Sequence, residues 1–268
     1  MKVIISHDVD HISAGEHWAD LTIPKFMVRT LVEKLRGGIA TREISRRLHE
    51  TFVTGKWQNI DELMQFDREH GVQSTFFVGV NQGLGLSYPR WQAEYWMKKI
   101  LQSGFEVGVH GICFDKQVGI EREYLTFSKL SGLQNFGIRM HYLRKSSHTL
   151  ELLAQTGYLY DTTCYEFAAP FKVGDMIEFP LQIRESRMLY PHSTFCTVPL
   201  NEAMDLTKRS IDLGLKARLP YLTILFHDRY FSHAFVVWRE WYIWLIEYLQ
   251  VGGISFIDYR QAVKENFA

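Results

Sequence analysis

The sequence predicts an α/β fold in which a parallel sheet, covered by helices, curls into a barrel of about seven strand–helix units. Short, continuous apolar runs alternate with longer amphipathic segments along the whole chain, and such runs are typical of parallel strands buried on both faces. No internal repeat or Pro/Gly/Ser-rich linker divides the 268 residues. We therefore expect a single domain over 1–268.

The predicted strands are runs of about four to eight residues rich in β-branched and aromatic side chains. The first comes directly after the initiator methionine, and QSTFFVGV, FEVGV and LTILF are later examples. In chain order, the predicted strands cover 3–6, 73–80, 105–109, 136–139, 158–162, 177–183, 221–226 and 254–257.

The predicted helices are longer segments with apolar residues three or four positions apart. In chain order, they cover 60–70, 91–103, 121–132, 149–156, 201–215 and 234–249, and a closing helix runs from 259 to the end. Because helices separate most of the strands, the strands are expected to be parallel, with their carboxyl ends at one face.

The region 23–56 interrupts this alternation and is predicted to be a helical insertion. It is rich in basic residues, and acidic residues occur only at 33, 43 and 50. The basic residues are Lys25, Arg29, Lys34, Arg36, Arg42, Arg46, Arg47 and Lys56. One interpretation is a solvated helical face. The other is a lid or docking surface for an anionic or membrane-associated substrate, such as a sugar carried on a diphosphate.

The composition excludes several classes of protein. Thirty basic and thirty acidic residues cancel, so the net charge gives no reason to expect nucleic acid as a partner. Cys113, Cys164 and Cys196 are too few and too far apart for a disulfide framework or a zinc knuckle. No apolar run is long enough for a signal peptide or a spanning helix. We therefore expect a cytoplasmic protein.

Polar side chains follow several predicted strands directly. Asp8 and Asp10 end the first strand, and two neighbouring carboxylates resist joint ionisation unless a cation lies beside them or one is protonated. A strand-end pair of this kind is also common as a cap or turn. His110 leaves another strand and, together with the aspartates, predicts a site for a divalent metal such as zinc. A catalytic metal needs about three protein ligands, and the residues alone leave the third open.

Two further strand-end residues suit hydrolysis. His227 follows LTILF and could donate a proton to a leaving group, although a structural histidine is the alternative. Arg139 could hold a catalytic carboxylate by paired hydrogen bonds, or it could form a purely structural ion pair.

In chain order, the segments ISHDVDH, QSTFFVGV, FEVGVHG, GIRMHYL, GYLYDTT, EFPL and LTILFHD resemble the polysaccharide deacetylase family. These are metal-dependent carbohydrate esterases related to the nodulation-factor and chitin deacetylases. The resemblance extends from residue 2 to about residue 260 and is greatest to the branch found in bacterial surface-polysaccharide gene clusters. It implies a distorted (β/α)7 TIM-like barrel.

The resemblance also implies roles for individual residues. Asp8 corresponds to the general base of the family and Asp10 to a metal ligand. His110 corresponds to the first histidine of the ligand motif. Arg139 corresponds to the arginine that steadies the base, and His227 corresponds to the histidine that protonates the leaving group.

The sequence departs from the family at one metal ligand. Four residues after His110, where the family has a second histidine, stands Phe114. Asp115 is the first choice for the replacement, since a carboxylate is a common ligand and a shift of one residue in a turn could present it. The other candidates are Cys113, His11 and His141.

The function implied is removal of an acetyl group from an N-acetylated sugar in surface polysaccharide or lipopolysaccharide biosynthesis. The substrate would be a nucleotide- or lipid-linked glycan, and peripheral membrane association is compatible with it. Two alternatives stay open: an inactive deacetylase-like barrel that binds glycan, and a hydrolase of another non-peptide C–N bond. Aromatic candidates for stacking on sugar rings are Tyr142, Tyr165, Tyr190, Trp238 and Trp241.

Overall fold

Nine strands form one sheet in the computed structural model, which describes residues 1–191 and 196–267. The strands are β1 (Lys2–Val9), β2 (Thr75–Val78), β3 (Glu106–Gly111), β4 (Ile138–Met140), β5 (Tyr160–Asp161), β6 (Phe171–Val173), β7 (Met176–Glu178), β8 (Ile183–Arg184) and β9 (Tyr221–Leu225).

Helices connect and cover these strands. The α-helices are α1 (Thr22–Leu35), α2 (Thr41–His49), α3 (Ile60–Glu69), α4 (Arg90–Gln102), α5 (Gln117–Ser131), α6 (Thr149–Thr156), α7 (Glu185–Leu189), α8 (Leu200–Lys216), α9 (Val236–Val251) and α10 (Tyr259–Phe267). Among the described residues, no helix combines the length and the apolar character needed to cross a bilayer.

The sheet is curled and almost entirely parallel. Its strand order is β6-β7-β5-β4-β3-β2-β1-β9-β8, and only β6 and β7 pair antiparallel. The short segment 179–182 links β7, near one end of this order, to β8 at the other end. Its backbone forms hydrogen bonds to both sides of the sheet order. Leu181 N–H donates to Cys164 O, after β5 (2.7 Å), and Gln182 N–H donates to Thr223 O, in β9 (3.2 Å). The predicted α/β fold with a curled parallel sheet is therefore confirmed, and the count of seven units stays a prediction.

Two predicted strands differ from the structure. The run 177–183 is divided between β7 and β8, and Pro180, which has no N–H to donate, lies between them. The run 254–257 forms a single parallel bridge, Val3 to Phe256, instead of a strand. Strand β6, which pairs with β7 across a turn at Gly174, was not predicted.

Aromatic side chains fill the interior of the curled sheet. Phe77, Tyr160 and Tyr259 belong to one buried cluster, and burying a side chain of this size contributes about 1.5–3 kcal/mol. Two glycines make room for these rings. A Cβ at Gly137 would lie 2.2 Å from the Tyr160 ring, and one at Gly108 would lie 2.7 Å from the Phe77 ring.

Helices α1 and α2 and the π-helical turn Glu50–Thr54 occupy the region 23–56. The region has a narrow neck, where Ala14 N–H donates to Gly55 O (2.8 Å) and Trp57 N–H donates to Ile12 O (3.1 Å). Arg47, buried in α2, forms an ion pair with Glu33 of α1 and donates from Nε to Ala234 O. The insertion is thus fixed to the body of the fold.

The buried carboxyl of Glu106, inside the sheet, should make the stability of the protein depend on pH. Burial, helped by nearby Asp258, raises its pKa from 4.5 to about 7. Between these values the folded protein keeps a proton that the unfolded chain releases, so stability falls as pH rises. Glu106→Gln imitates the protonated carboxyl. Its free energy of unfolding should therefore fall less as pH rises, by up to about 3 kcal/mol. Urea unfolding at several pH values measures the effect.

The matched control is Glu247→Gln, which changes an exposed carboxyl on α9. It should leave the pH dependence of the unfolding free energy as in the unmodified protein. The same slope in Glu106→Gln and in the unmodified protein would contradict the assignment of Glu106.

Candidate metal centre

The carboxyl ends of neighbouring strands bring the strand-end residues together. Asp8 lies in β1 and Asp10 follows it, His110 lies in β3, and His227 follows β9. His110 Nε2 lies 3.1 Å from Asp10 Oδ1 and 3.8 Å from Asp8 Oδ2. His227 Nε2 lies 3.5 Å from the other oxygen of Asp10. Residues from widely separated parts of the chain therefore meet at one opening of the curled sheet.

His141 joins Asp10 and His110 in a group of side chains that could hold a metal ion. His141 Nδ1 lies 2.9 Å from His110 Nε2 and 3.4 Å from Asp10 Oδ1. Both rings are buried, and Asp10 is partly buried. His141 follows β4 directly, so it too stands at a strand end. These three residues form the central cluster.

The far nitrogen of each imidazole fixes where its proton lies. His110 Nδ1 is 3.1 Å from the carbonyl oxygen of Arg139, and His141 Nε2 is 3.0 Å from that of Leu84. A carbonyl oxygen only accepts hydrogen bonds, so both far nitrogens carry N–H groups. In the neutral rings, the nitrogens that face Asp10 therefore present lone pairs. Asp10 Oδ1 is buried there without a hydrogen-bond partner.

This convergence of acceptors requires positive charge. Burial alone would raise the pKa of Asp10 and lower the pKa of His141. The imidazoles of His110 and His141 instead hold the pKa of Asp10 well below its ordinary value, and Asp10 in turn raises the pKa of His141. A divalent cation supplies the same charge, and two imidazole nitrogens with one carboxylate oxygen are a ligand set of catalytic zinc sites. The central cluster therefore fits a metal ion.

Asp115, the first choice for the third ligand, lies elsewhere, and His141 stands in its place. The Asp115 side chain is exposed and, among the described residues, belongs to neither group that could hold a metal. The carboxylate of Glu123 explains this placement, because it accepts the N–H groups of Ile112 (2.9 Å) and Cys113 (3.0 Å). These bonds hold the loop after β3 to α5. Cys113 likewise lies outside both groups.

His11, another candidate ligand, belongs to a second group with Glu16 and His17. His17 Nδ1 donates to Asp20 Oδ2 (2.8 Å), which leaves His17 Nε2 to accept the proton of His11 Nδ1 (2.8 Å). Glu16 accepts the N–H of Ile12 (2.9 Å). Hydrogen bonds thus connect the members of this group, whereas Asp10 Oδ1 of the central cluster has no hydrogen-bond partner.

Arg139 holds Asp8 in its ionised form. Its Nη1 donates to Asp8 Oδ1 at 2.8 Å, and the pair is buried. Burial alone would raise the pKa of Asp8, but the guanidinium of Arg139, followed by the imidazoles of His110 and His227, brings the pKa below its ordinary value. Asp8 therefore stands beside the central cluster as a carboxylate ready to accept a proton.

Glu185 orients His227. His227 Nδ1 donates to Glu185 Oε1 at 2.6 Å, which turns Nε2 towards Asp10. Burial alone would lower the pKa of His227, but the carboxylate of Glu185, with Asp10 and Asp8, raises it well above its ordinary value. The sequence interpretation missed Glu185, and its position directly after the short strand β8 is the only signal that could have indicated it.

Strained backbone surrounds His141. Leu84, whose carbonyl accepts from His141, has φ 54°, and Tyr142 and Leu143 have φ 58° and 53°. A left-handed conformation costs a residue other than glycine about 1–2 kcal/mol. Strain of this kind is typical of functional sites, and here it holds the ring that completes the central cluster.

The aromatic candidates differ in exposure and fall into three sets. Tyr142 and Tyr165 are exposed, and the Tyr142 ring lies 4.0 Å from the His141 ring between centroids. Tyr190 is partly buried and stacks on a guanidinium of the insertion. Trp238 and Trp241 are core residues, and their positions are not compatible with the predicted contact to a sugar.

The fold is similar to several solved structures. A protein from Mycobacterium smegmatis assigned as a polysaccharide deacetylase has a TM-score of 0.66 at 16% identity, over 98% of this chain and 88% of that chain. Puue allantoinase has a TM-score of 0.60 at 15% identity, over 77% and 71%. A CE4 family pseudoenzyme from Bacillus anthracis has a TM-score of 0.52 at 10% identity, over 98% and 65%. No protein-family profile and no curated protein matches the sequence.

These likenesses concern the fold. Polysaccharide deacetylases, an allantoinase and a pseudoenzyme share the architecture of this chain. The fold relation that the sequence motifs predicted is therefore confirmed. Because enzymes and a pseudoenzyme share this fold, the activity has to be argued from the site.

The central cluster predicts which changes remove metal. We expect His141→Asn to lower zinc affinity by at least about 100-fold. Replacing a residue that only hydrogen-bonds to a metal ligand already lowers affinity by up to about 100-fold, and His141 is a proposed ligand itself. Zinc titration calorimetry on metal-free protein measures this affinity. Asp115→Asn is the control and should bind zinc like the unmodified protein. Retained affinity in His141→Asn, or an equal loss in Asp115→Asn, would exclude this ligand set.

Proposed function

We propose that this protein is a metal-dependent hydrolase that removes the acetyl group from an N-acetylated sugar. The observation that carries the proposal is the convergence of proton-free acceptors in the central cluster between an ionised Asp8 and a protonated His227. Hydrolysis of an amide needs this combination of a base, an acid and an electrophilic centre. Asp8, Arg139 and His227 are the proposed catalytic residues, and Asp10, His110 and His141 are the proposed ligands.

Asp8 acts first, as the general base. Water attacks the acetyl carbonyl carbon while Asp8 accepts one proton from it. The buried guanidinium of Arg139 keeps Asp8 ionised and fixes the direction of its carboxylate. A divalent cation, when bound, supplies Lewis-acid chemistry that makes the carbonyl more electrophilic and the water more acidic.

His227 acts second, as the general acid. When the C–N bond breaks, the departing nitrogen takes up the proton of His227 Nε2, and acetate and a free amino sugar result. Glu185 accepts a hydrogen bond from the Nδ1–H of the same ring and so keeps the imidazole in place. Asp8 then releases its proton and His227 takes one up, both through solvent, which returns the two residues to their starting forms.

Zinc is the proposed ion, since two imidazoles and a carboxylate suit it. The proposed substrate is a nucleotide- or lipid-linked precursor of a surface glycan, and exposed Tyr142, beside His141, is placed to stack on a sugar ring. The cytoplasm is the proposed compartment, since all three cysteines are free thiols.

Two other functions are favoured by particular structural neighbours. The likeness to an allantoinase favours hydrolysis of a different non-peptide C–N bond. The likeness to a pseudoenzyme favours a barrel that binds glycan without turnover. Acetate release from N-acetylhexosamine conjugates separates the proposal from both, because neither alternative produces acetate.

Asp8→Asn should separate catalysis from metal binding. An amide cannot accept the proton of water, so we expect kcat for acetate release to fall by about 10²–10⁴, while zinc content stays unchanged. A coupled acetate assay and metal analysis of the same sample measure both. Asp10→Asn is the matched change and should lose zinc and activity together. Full activity in Asp8→Asn would exclude Asp8 as the base.

Glu185→Gln should change the pH profile. His227 must be protonated to act as an acid, so activity is lost as pH rises through its pKa. Removing the carboxylate that raises this pKa should move the alkaline limb of kcat to lower pH. The pH dependence of acetate release measures the shift. An unchanged alkaline limb, with reduced kcat at all pH values, would assign Glu185 a purely structural role.

A further inference from the structure

Helix α1 exposes an apolar face. Leu21, at its start, and Val28, Leu31 and Leu35 are 59% to 78% exposed. These positions repeat at intervals of three, four and seven residues, so they form one stripe along the helix. We call these four residues the apolar strip. Trp18, which precedes the helix, is also 72% exposed.

The opposite face of α1 fixes this orientation. Thr30 and Glu33 are buried there, and Arg47 of α2 donates to both. Tyr190 donates to the same glutamate. Turning the helix over to bury the leucines would break this buried ion pair and leave a buried charge without its partner. The fold therefore holds the apolar strip towards solvent.

The charges around the strip have one sign. Within 18–56, every exposed Lys, Arg, Asp or Glu is basic: Lys25, Arg36, Arg42 and Lys56. The acidic residues of this region are buried or partly buried and hold hydrogen bonds, as Glu43 does with Ala40 N–H and Glu50 with Ser232. An apolar stripe flanked by cations has the composition of helices that lie at the surface of anionic bilayers.

The insertion is attached at the end of the fold that carries the central cluster. The insertion leaves the chain just after β1, whose carboxyl end bears Asp8 and Asp10. Arg46 and Arg47 donate to His233 O and Ala234 O, in the segment after β9 that contains His227. A surface bound by the strip would therefore lie on the side of the molecule where the site opens.

We propose that the apolar strip and its basic neighbours dock this protein onto an anionic phospholipid bilayer. The leucine side chains enter the boundary between headgroups and acyl chains, and Lys25 and Arg42 contact lipid phosphates. Docking requires neither metal nor catalysis, so it is separate from the deacetylase proposal. It would bring the site to a substrate held in the membrane.

Vesicle co-sedimentation of the full chain tests the proposal. Vesicles of phosphatidylcholine with phosphatidylglycerol should bind the protein, and binding should weaken with salt. Vesicles of phosphatidylcholine alone should bind it less. Leu31→Glu with Leu35→Glu should lower the partition coefficient at least about tenfold, and Lys25→Gln with Arg42→Gln should reduce the dependence on salt.

The matched control is Leu213→Glu with Leu215→Glu, which changes two exposed leucines on α8 and should leave binding intact. Circular dichroism and the urea midpoint of unfolding check that each variant is folded. No binding to anionic vesicles, or an equal loss in both leucine pairs, would overturn the proposal. A dimer that the strip variant converts to a monomer, without vesicle binding, would assign the strip to contact between two copies. Acetate release from a soluble substrate tests the reaction independently.

Discussion

The guanidinium of Arg139 lies inside the curled sheet and connects parts of the chain that are far apart in sequence. It bonds to Asp8 and Ser6 of β1, to Thr162 after β5, and to Tyr259 of α10, and it stacks on Phe77. Loss of one partner of a buried pair of this kind costs about 3–5 kcal/mol. The direction of the Asp8 carboxylate, and with it the geometry of the opening, follows from this one buried cation.

Chemically similar side chains near this cation differ in where their protons and charges lie. Asp8 and Asp10 are two residues apart, yet an arginine compensates one carboxylate and imidazoles face the other. His110 and His141 use carbonyl oxygens to fix their protons on the far nitrogen, whereas His227 uses a carboxylate. The second hydrogen bond of each ring therefore decides whether it offers a lone pair or a proton.

Local sequence patterns identified the polar residues that lie at the carboxyl ends of strands. Asp8, Asp10, His110 and His227 all follow apolar runs, and parallel pairing brings such ends together. The pattern did not single out His141, because whether Asp115 or His141 lies beside Asp10 and His110 depends on how Glu123 holds one loop and on the left-handed turn at Tyr142 and Leu143. Glu185 was missed for a related reason. Its partner lies in another strand–helix unit, and short-range periodicity contains no information on such pairs.

The neck of the insertion joins it to the rest of the fold through residues that are close together in space. Because Ile12 and Ala14 bond directly to Trp57 and Gly55, the segment between them starts and finishes at almost the same point in space. Recombination could lengthen, shorten or replace this segment while Asp10 and α3 keep their relative positions. Changes in the insertion can therefore accumulate during evolution without moving the residues of the central cluster.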